Sequence, residues 1–284
     1  MGNLRVMTFN IRGAFHLHDG ANAWANRAAL NVATIKRYAP DLIGFQELQS
    51  GNLEIYREAL PEYRYVVGPQ ADNEEPHNYN AIFWTSASFE LIDSGGFWLS
   101  RTPDRYSSDW DTCCIRATNW VLLRHLATGL DMVHVNTHLD HISEMARVEG
   151  SRLILQQLEA IQPPALPTII TGDFNCVPGS PAYRLFLDDG FIDTYLAAGN
   201  EDTVDSHTFH GFAGKQFVPQ PHSTPPIRID WILLRDRAQR FQIRSSVIVH
   251  DEEPPLYPSD HYPVIADLLF HATTYPTPPT AGGD

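Results

Sequence analysis

A chain of 284 residues, 43% hydrophobic and 19% charged, holds enough apolar matter to offset the entropy of ordering it, which excludes a disordered protein. No stretch reaches the roughly 18 to 20 apolar residues of a membrane-spanning helix, so a soluble globular protein is expected. The net charge of −14, with Lys36 and Lys215 as the only lysines, argues against a protein that coats duplex nucleic acid, because such binding rests on neutralising phosphates.

The chain opens on a strand-like run at residues 4–9, with no basic region, apolar segment and cleavage site before it, and a cytoplasmic location is expected. Met1-Gly2 begins a myristoylation pattern, but Val6 stands where Ser or Thr is wanted. Ala28, Val32, Ile35 and Ala39 share a helical face that Pro40 stops, and strand-like runs follow at 42–45 and 81–84. Residues 68–80 between them read as a long functional loop. The adjacent Cys113 and Cys114 lack the spacing of a disulfide framework or a zinc ribbon, and their spacing to His134, His138 and His141 is poor for zinc. Further strands are predicted at 120–123, 132–135 and 168–170. Val148, Ser151, Leu155 and Leu158 form a helical face before Pro163-Pro164. A second long loop, 205–228, precedes strands at 229–234, 247–249 and 264–269.

Arg228, Arg235, Arg237, Arg240 and Arg244 are the densest basic cluster, diluted by Asp230 and Asp236, and Arg228 is a candidate phosphate contact. From His271 onward no buried face is evident. The reading is one domain over residues 1–270 and a disordered tail over 271–284. Strands outnumber strong helices by about three to one, which favours two sheets packed face to face with helices outside over a Rossmann fold.

Several polar residues share one position: the end of an apolar strand-like run. They are Asn10, Glu47, His138, Asp173, Asn175, Asp230, Asp260 and His261. Strand ends facing one rim converge on a single site. Gathered there, four carboxylates, two histidines and two asparagines make an oxygen-rich site for a hard cation with an acid-base group beside it.

In order and spacing these residues fall in six motifs: Met7-Thr8-Phe9-Asn10, Phe45-Gln46-Glu47, Asn136-Thr137-His138-Leu139, Gly172-Asp173-Phe174-Asn175, Arg228-Ile229-Asp230-Trp231-Ile232 and Ser259-Asp260-His261-Tyr262-Pro263-Val264. Over nearly its whole length the chain thereby resembles the endonuclease/exonuclease/phosphatase superfamily. The resemblance implies a four-layer α/β/β/α sandwich of two mixed, mainly antiparallel sheets. It also implies Mg2+ (or Mn2+) held by Glu47, with Asn10 and Asp260 as nearby or additional ligands. Asp173 would orient or deprotonate the attacking water, and Asn175 and His138 would contact the phosphate. His261 paired with Asp230 would be the second acid-base and charge-stabilising group, and Asn80 and Arg116 fall where the family often places phosphate contacts.

Shared chemistry does not name the substrate. Asn136-Thr137-His138-Leu139 resembles the deadenylase-like spelling. Asn10-Ile11-Arg12-Gly13 departs from the apurinic endonuclease pattern, and the apolar insertion of lipid-cleaving relatives is not found. Phe97-Trp98-Leu99-Ser100 and Thr208-Phe209-His210-Gly211-Phe212 look most like a bacterial branch of mostly unassigned substrate. The leading expectation is a metal-dependent phosphodiesterase or nuclease-type enzyme on a small or single-stranded nucleotide-containing substrate. The alternatives are a phosphomonoesterase for a soluble sugar or inositol phosphate and, against the intact residue set, a non-catalytic binding module.

Overall fold

The structure is a computed structural model that describes residues 2–70, 79–161, 166–219 and 227–271. In chain order the elements are β1 (Asn3–Asn10), α1 (Trp24–Tyr38), β2 (Leu42–Leu48), α2 (Ser50–Ala59), β3 (Tyr63–Val67), β4 (Tyr79–Thr85), β5 (Phe89–Trp98), β6 (Ala117–His125) and β7 (Leu130–His138). There follow α3 (Glu144–Ile161), β8 (Thr168–Asp173), α4 (Pro181–Asp188), β9 (Ile192–Asp193), α5 (Thr194–Ala197), β10 (Asp230–Arg235), β11 (Phe241–Ile248) and β12 (Val264–Phe270). Local chemistry sets the helix ends. Ala39 closes α1 in the left-handed region at φ 42° just before Pro40, and Ser180 caps α4 by accepting from Tyr183 N, with Pro181 in the first turn.

Two six-stranded sheets form, in the orders β11-β12-β1-β2-β4-β3 and β5-β6-β7-β8-β10-β9. Each is mixed. Only β1–β2 and β7–β8 pair in parallel, and the other ladders are antiparallel. Side chains alternate between the faces with the strand period of two. Leu4 and Val6 of β1, Ile82 and Trp84 of β4, Met132 of β7, Ile169 of β8 and Ile232 and Leu234 of β10 meet in one core between the sheets. The intervening residues point outward: Met7, Phe9 and Phe83 pack against α1 and α2, and Val133, Val135, Ile170 and Trp231 pack against α3 and α4. Four layers, α/β/β/α, follow from that alternation. No helix among the described residues is long and apolar enough to cross a membrane.

Towards one rim the inter-sheet core turns polar while staying buried. Asn136 of β7 donates to Phe45 O (2.7 Å) and Ala81 O (3.1 Å) of the opposite sheet and accepts from Gln46 Nε2 (2.7 Å) and Thr171 Oγ1 (3.1 Å). Thr171 is held in turn by His134 Nε2 at 2.9 Å. Gly44 is required beneath this network, because a Cβ there would sit 2.0 Å from Thr171 Oγ1 and 2.6 Å from Asn136 Oδ1.

The expected tail lies, from residue 272, outside the described residues, as do 71–78 of the first expected loop and 220–226 of the second. The described part of the second loop is not structureless, holding short 3-10 turns at Val204–Ser206 and Gly214–Gln216. Arg228 is not the phosphate contact expected from the sequence. It is fully buried, bonded to both oxygens of Asp193 (3.2 and 2.7 Å) and to Asp202 (2.6 Å), so its charge is spent inside the fold.

Removing the inter-sheet amide deletes four buried hydrogen bonds, including the donors to both opposite-sheet carbonyls, so Asn136→Ala is expected to destabilise the protein by about 3 kcal/mol. Urea unfolding of the variant checks this, and a loss under about 1 kcal/mol would show the sheets held by apolar packing alone.

Candidate active site

Strand register sets the first row of the site. On the inner face of the second sheet His138 stands opposite Asp173 in the β7–β8 ladder, and Asp173 stands opposite Asp230 in the β8–β10 ladder. Three charged residues are therefore neighbours across three strands, each at a strand end. The first sheet supplies Asn10, at the end of β1, and Glu47, within β2.

Glu47 reaches the site through a bulge. The β2–β4 register shifts between Phe45 and Leu48, and Glu47 takes the left-handed conformation at φ 61°. Leu48 packs against the outer layer although Leu42, an even number of residues away, faces inward. The extra residue re-aims the Glu47 side chain, a common use of bulges beside active sites. Arg12 (φ 49°) and Asn175 (φ 50°) are also left-handed, so backbone strain gathers at this rim.

The two sheets meet at one carboxylate oxygen. Asp173 Oδ2 accepts from Asn10 Nδ2 at 2.9 Å and lies 3.4 Å from His138 Nε2 and 3.8 Å from His261 Nε2. The same Asn10 amide reaches Glu47 Oε1 at 3.1 Å. Asn10 thus presents its nitrogen to both carboxylates and bridges them. His261 Nδ1 donates to Asp230 Oδ2 at 2.9 Å. Asn175 donates its backbone N–H to Asp173 Oδ1 (3.0 Å) and its side-chain amide to Leu139 O (3.0 Å). Asp260 lies 3.8 Å from Arg12 NH1.

Burial and neighbouring charge drive these groups apart in acidity. Asp173 is pushed up to about 7, first by burial and then by the Asp230 charge. For His261 burial works against the cation, but Asp230 outweighs it and lifts the imidazole to about 10. Burial and the Arg116 cation hold His138 well below the usual histidine value. Because Arg116 NH1 donates to His138 Nδ1 at 3.2 Å, the neutral ring carries its proton on Nε2, facing Asp173. Burial opposes ionisation of Glu47 as well. His16, the Asn10 amide and the His261 cation overcome it and hold the carboxyl well below its ordinary range.

These groups line a cleft of about 510 Å³ with Arg12, His16, Arg116, His141 and Phe209. A second pocket of about 350 Å³ adjoins it through His16, Arg116 and His138, and Asn80, Trp98 and Tyr106 line its far side. Asn80 also donates to Ala117 O at 2.6 Å, which fixes its amide at the pocket wall. Of the residues expected from the sequence, Glu47, Arg116, His138, Asp173, Asn175, Asp260 and His261 line the cleft, Asn80 lines the adjoining pocket, and Asn10 and Asp230 stand behind the cleft wall, hydrogen-bonded to Asp173 and His261 respectively. Arg12, His16, His141 and Phe209 were not anticipated. Arg12 and His141 sit two or three residues beyond the motif residues Asn10 and His138, and that proximity was the available signal. Phe209 sets its ring edge on His261 at 5.1 Å.

The endonuclease/exonuclease/phosphatase family profile matches residues 7–261. The chain belongs to this family. Among solved structures, a family protein of Bacteroides vulgatus is 30% identical with a TM-score of 0.82, covering 95% of this chain and 100% of its own. A mannosyl-6-phosphatase of Bacteroides thetaiotaomicron is 29% identical with a TM-score of 0.81, covering 94% and 100%. Nocturnin of Xenopus laevis is 24% identical over 272 residues, 87% of this chain, and the chain spans 65% of that relative's length. Members of the family are hydrolases of phosphoester bonds and generally use a divalent metal.

The fold favours the protonated form of Asp173. With its pKa raised from 3.8 to about 7, its contribution to stability is complete below about pH 4 and is lost as pH rises through 7. Asp173→Asn, which keeps the shape without the charge, is expected to raise the melting temperature of the metal-free protein at pH 8 and to flatten the fall between pH 4 and 7. An unchanged slope in thermal scans would contradict this account of the residue.

Proposed function

We propose that the chain, through a unit spanning residues 1–270, is a divalent-cation-dependent hydrolase of phosphoesters. The observation that carries the reading is the convergence of Asn10, His138 and His261 on Asp173 Oδ2, with groups from both sheets. The donors at the rim suit a hard cation. Glu47 is half-buried and held ionised, and Asp260 is a buried carboxylate. Glu47 and Asp260 would hold Mg2+ or Mn2+, with Asn10 beside them as a nearby ligand. Bound there, such an ion supplies charge neutralisation at a phosphate oxygen.

The protein groups divide the remaining work. Asp173, poised near neutral pH, orients the attacking water and takes its proton. His261 stays cationic against Asp230 and offers Nε2–H to charge developing on the phosphoryl oxygens. His138 Nε2–H, the second Asn175 amide hydrogen and Arg116 donate to the phosphate, and Arg116 also fixes the His138 tautomer. Asn80 lines the pocket that receives the rest of the substrate.

The cleft and adjoining pocket suit a small or single-stranded phosphoester. A probable RNA exonuclease of Saccharomyces cerevisiae, 23% identical over 64% of this chain and 39% of its own length, supports a nucleotide-containing diester. The full-length likeness to a mannosyl-6-phosphatase favours a second reading, a phosphomonoesterase of a soluble sugar phosphate. Activity is expected to vanish in excess chelator and return with Mg2+ or Mn2+. Full turnover in chelator would end the cation-dependent reading. Asp173→Asn and His261→Ala are each expected to lower kcat by at least about a thousandfold, with far less than multiplicative loss in the double variant. Steady-state kinetics on a dinucleotide, a hexose phosphate, a single-stranded oligonucleotide and a duplex separates the substrate readings. Preference for the duplex would reject both.

A further inference from the structure

Beside the oxygen-rich site the fold assembles a second set of donors of different chemistry. The thiols of Cys113 and Cys114 lie 3.2 Å apart, and Cys113 Sγ lies 3.2 Å from Asp140 Oδ2 and 3.5 Å from His141 Nδ1. Ligand atoms of all four residues lie within 4.8 Å of one another. Both cysteines are exposed and unpaired in any disulfide. In the sequence they stand 26 or more residues from Asp140 and His141, which is why spacing alone gave no zinc pattern.

The arrangement matches what one tetrahedral ion asks for. Zinc sits about 2.3 Å from sulfur and about 2.0 to 2.2 Å from nitrogen or oxygen, which sets neighbouring donors about 3.4 to 3.8 Å apart. The Cys113 contacts to Asp140 and His141 fall within about 0.3 Å of those edges, and the two sulfurs, 3.2 Å apart, would have to part by about half an ångström. The carboxylate is already fixed. Asp140 Oδ1 accepts from Ile142 N (2.9 Å) and Ser143 N (2.6 Å), and Oδ2 from Thr112 Oγ1 (2.6 Å), bonds of the kind that orient metal ligands from behind. The thiol-bearing turn is tied to the same helix start by Ser143 Oγ donating to Trp110 O at 2.7 Å.

We propose that Cys113, Cys114, Asp140 and His141 form a binding site for a thiophilic divalent cation of the zinc type at the mouth of the cleft. Two sulfurs, an imidazole and one carboxylate oxygen select zinc-like ions over Mg2+. On binding, two S–H protons pass to solvent and two metal–sulfur bonds form. Arg116 NH2 donates to the same His141 Nδ1 at 3.3 Å, so the ion and that bond exclude each other and occupancy releases Arg116 towards His138 and the phosphate position. The site is chemically independent of the Glu47 site.

Titrating the reduced, metal-stripped full chain with Co2+ in excess Mg2+ tests it. A thiolate-to-cobalt charge-transfer band with tetrahedral d–d absorption, saturating at one ion per chain and bleached by Zn2+, is expected. Cys113→Ser with Cys114→Ser should abolish the band, and His141→Asn should weaken Zn2+ binding at least about 100-fold. Glu47→Gln should keep the band, which separates this site from the proposed catalytic one. Matching circular dichroism and melting temperature of the metal-free variants confirm their fold. No band, or one that survives the double substitution and so belongs to Cys176, overturns the proposal.

Discussion

The buried amide of Asn136 fixes how the two sheets face each other, and the site exists only if they face correctly. Neither sheet holds a complete set. His138, Asp173 and Asp230 lie on one, Asn10 and Glu47 on the other, and Asn10 spans the gap with a 2.9 Å bond to Asp173. Apolar packing between sheets is non-directional and tolerates sliding. Four hydrogen bonds at Asn136, two to backbone carbonyls across the interface, define a single register. A fully satisfied polar network in a core specifies one arrangement, since any other leaves buried groups unpaired. The core is accordingly apolar at one end and polar beneath the cleft.

The rim is where the fold departs from regular geometry. Three left-handed residues, Arg12, Glu47 and Asn175, lie within or beside motifs. Their strain is countered by contacts behind the site. Arg27, fully buried, donates to Ile11 O and Pro258 O at 2.9 Å each and also to the Arg12 carbonyl, which ties the turn after Asn10 to the turn before Asp260. Ser259 Oγ closes the same connection by donating to Asn10 O at 2.7 Å. The cleft is thereby shaped before any ligand arrives, as electrostatic stabilisation of developing charge requires.

The readable parts of the sequence were those where burial imposes a pattern. Nine strand-like runs correspond to β1, β2, β4, β6, β7, β8, β10, β11 and β12. The missed strands, β3, β5 and β9, all lie at sheet edges. Edge strands are half exposed, and β5 carries Glu90, Asp93 and Ser94 in place of an apolar run. Site residues were legible because each ends a buried run. Arg228 was misread because its partners, Asp193 and Asp202, are distant in sequence, and no local pattern distinguishes a buried arginine from a surface one. The cysteine cluster escaped for the same reason: its histidine and carboxylate arrive on a different strand end.

The central claim is that a divalent cation sits between the sheets, against Glu47 and Asp260. Anomalous diffraction from crystals soaked in Mn2+ tests it most directly. The account predicts a peak bound to the Glu47 carboxylate, with Asp260 or Asn10 beside it and His261 still hydrogen-bonded to Asp230. A peak coordinated by Asp173, Asp230 and His261 with Glu47 uninvolved would contradict it, because those three would then be ligands and not the acid-base pair and its support.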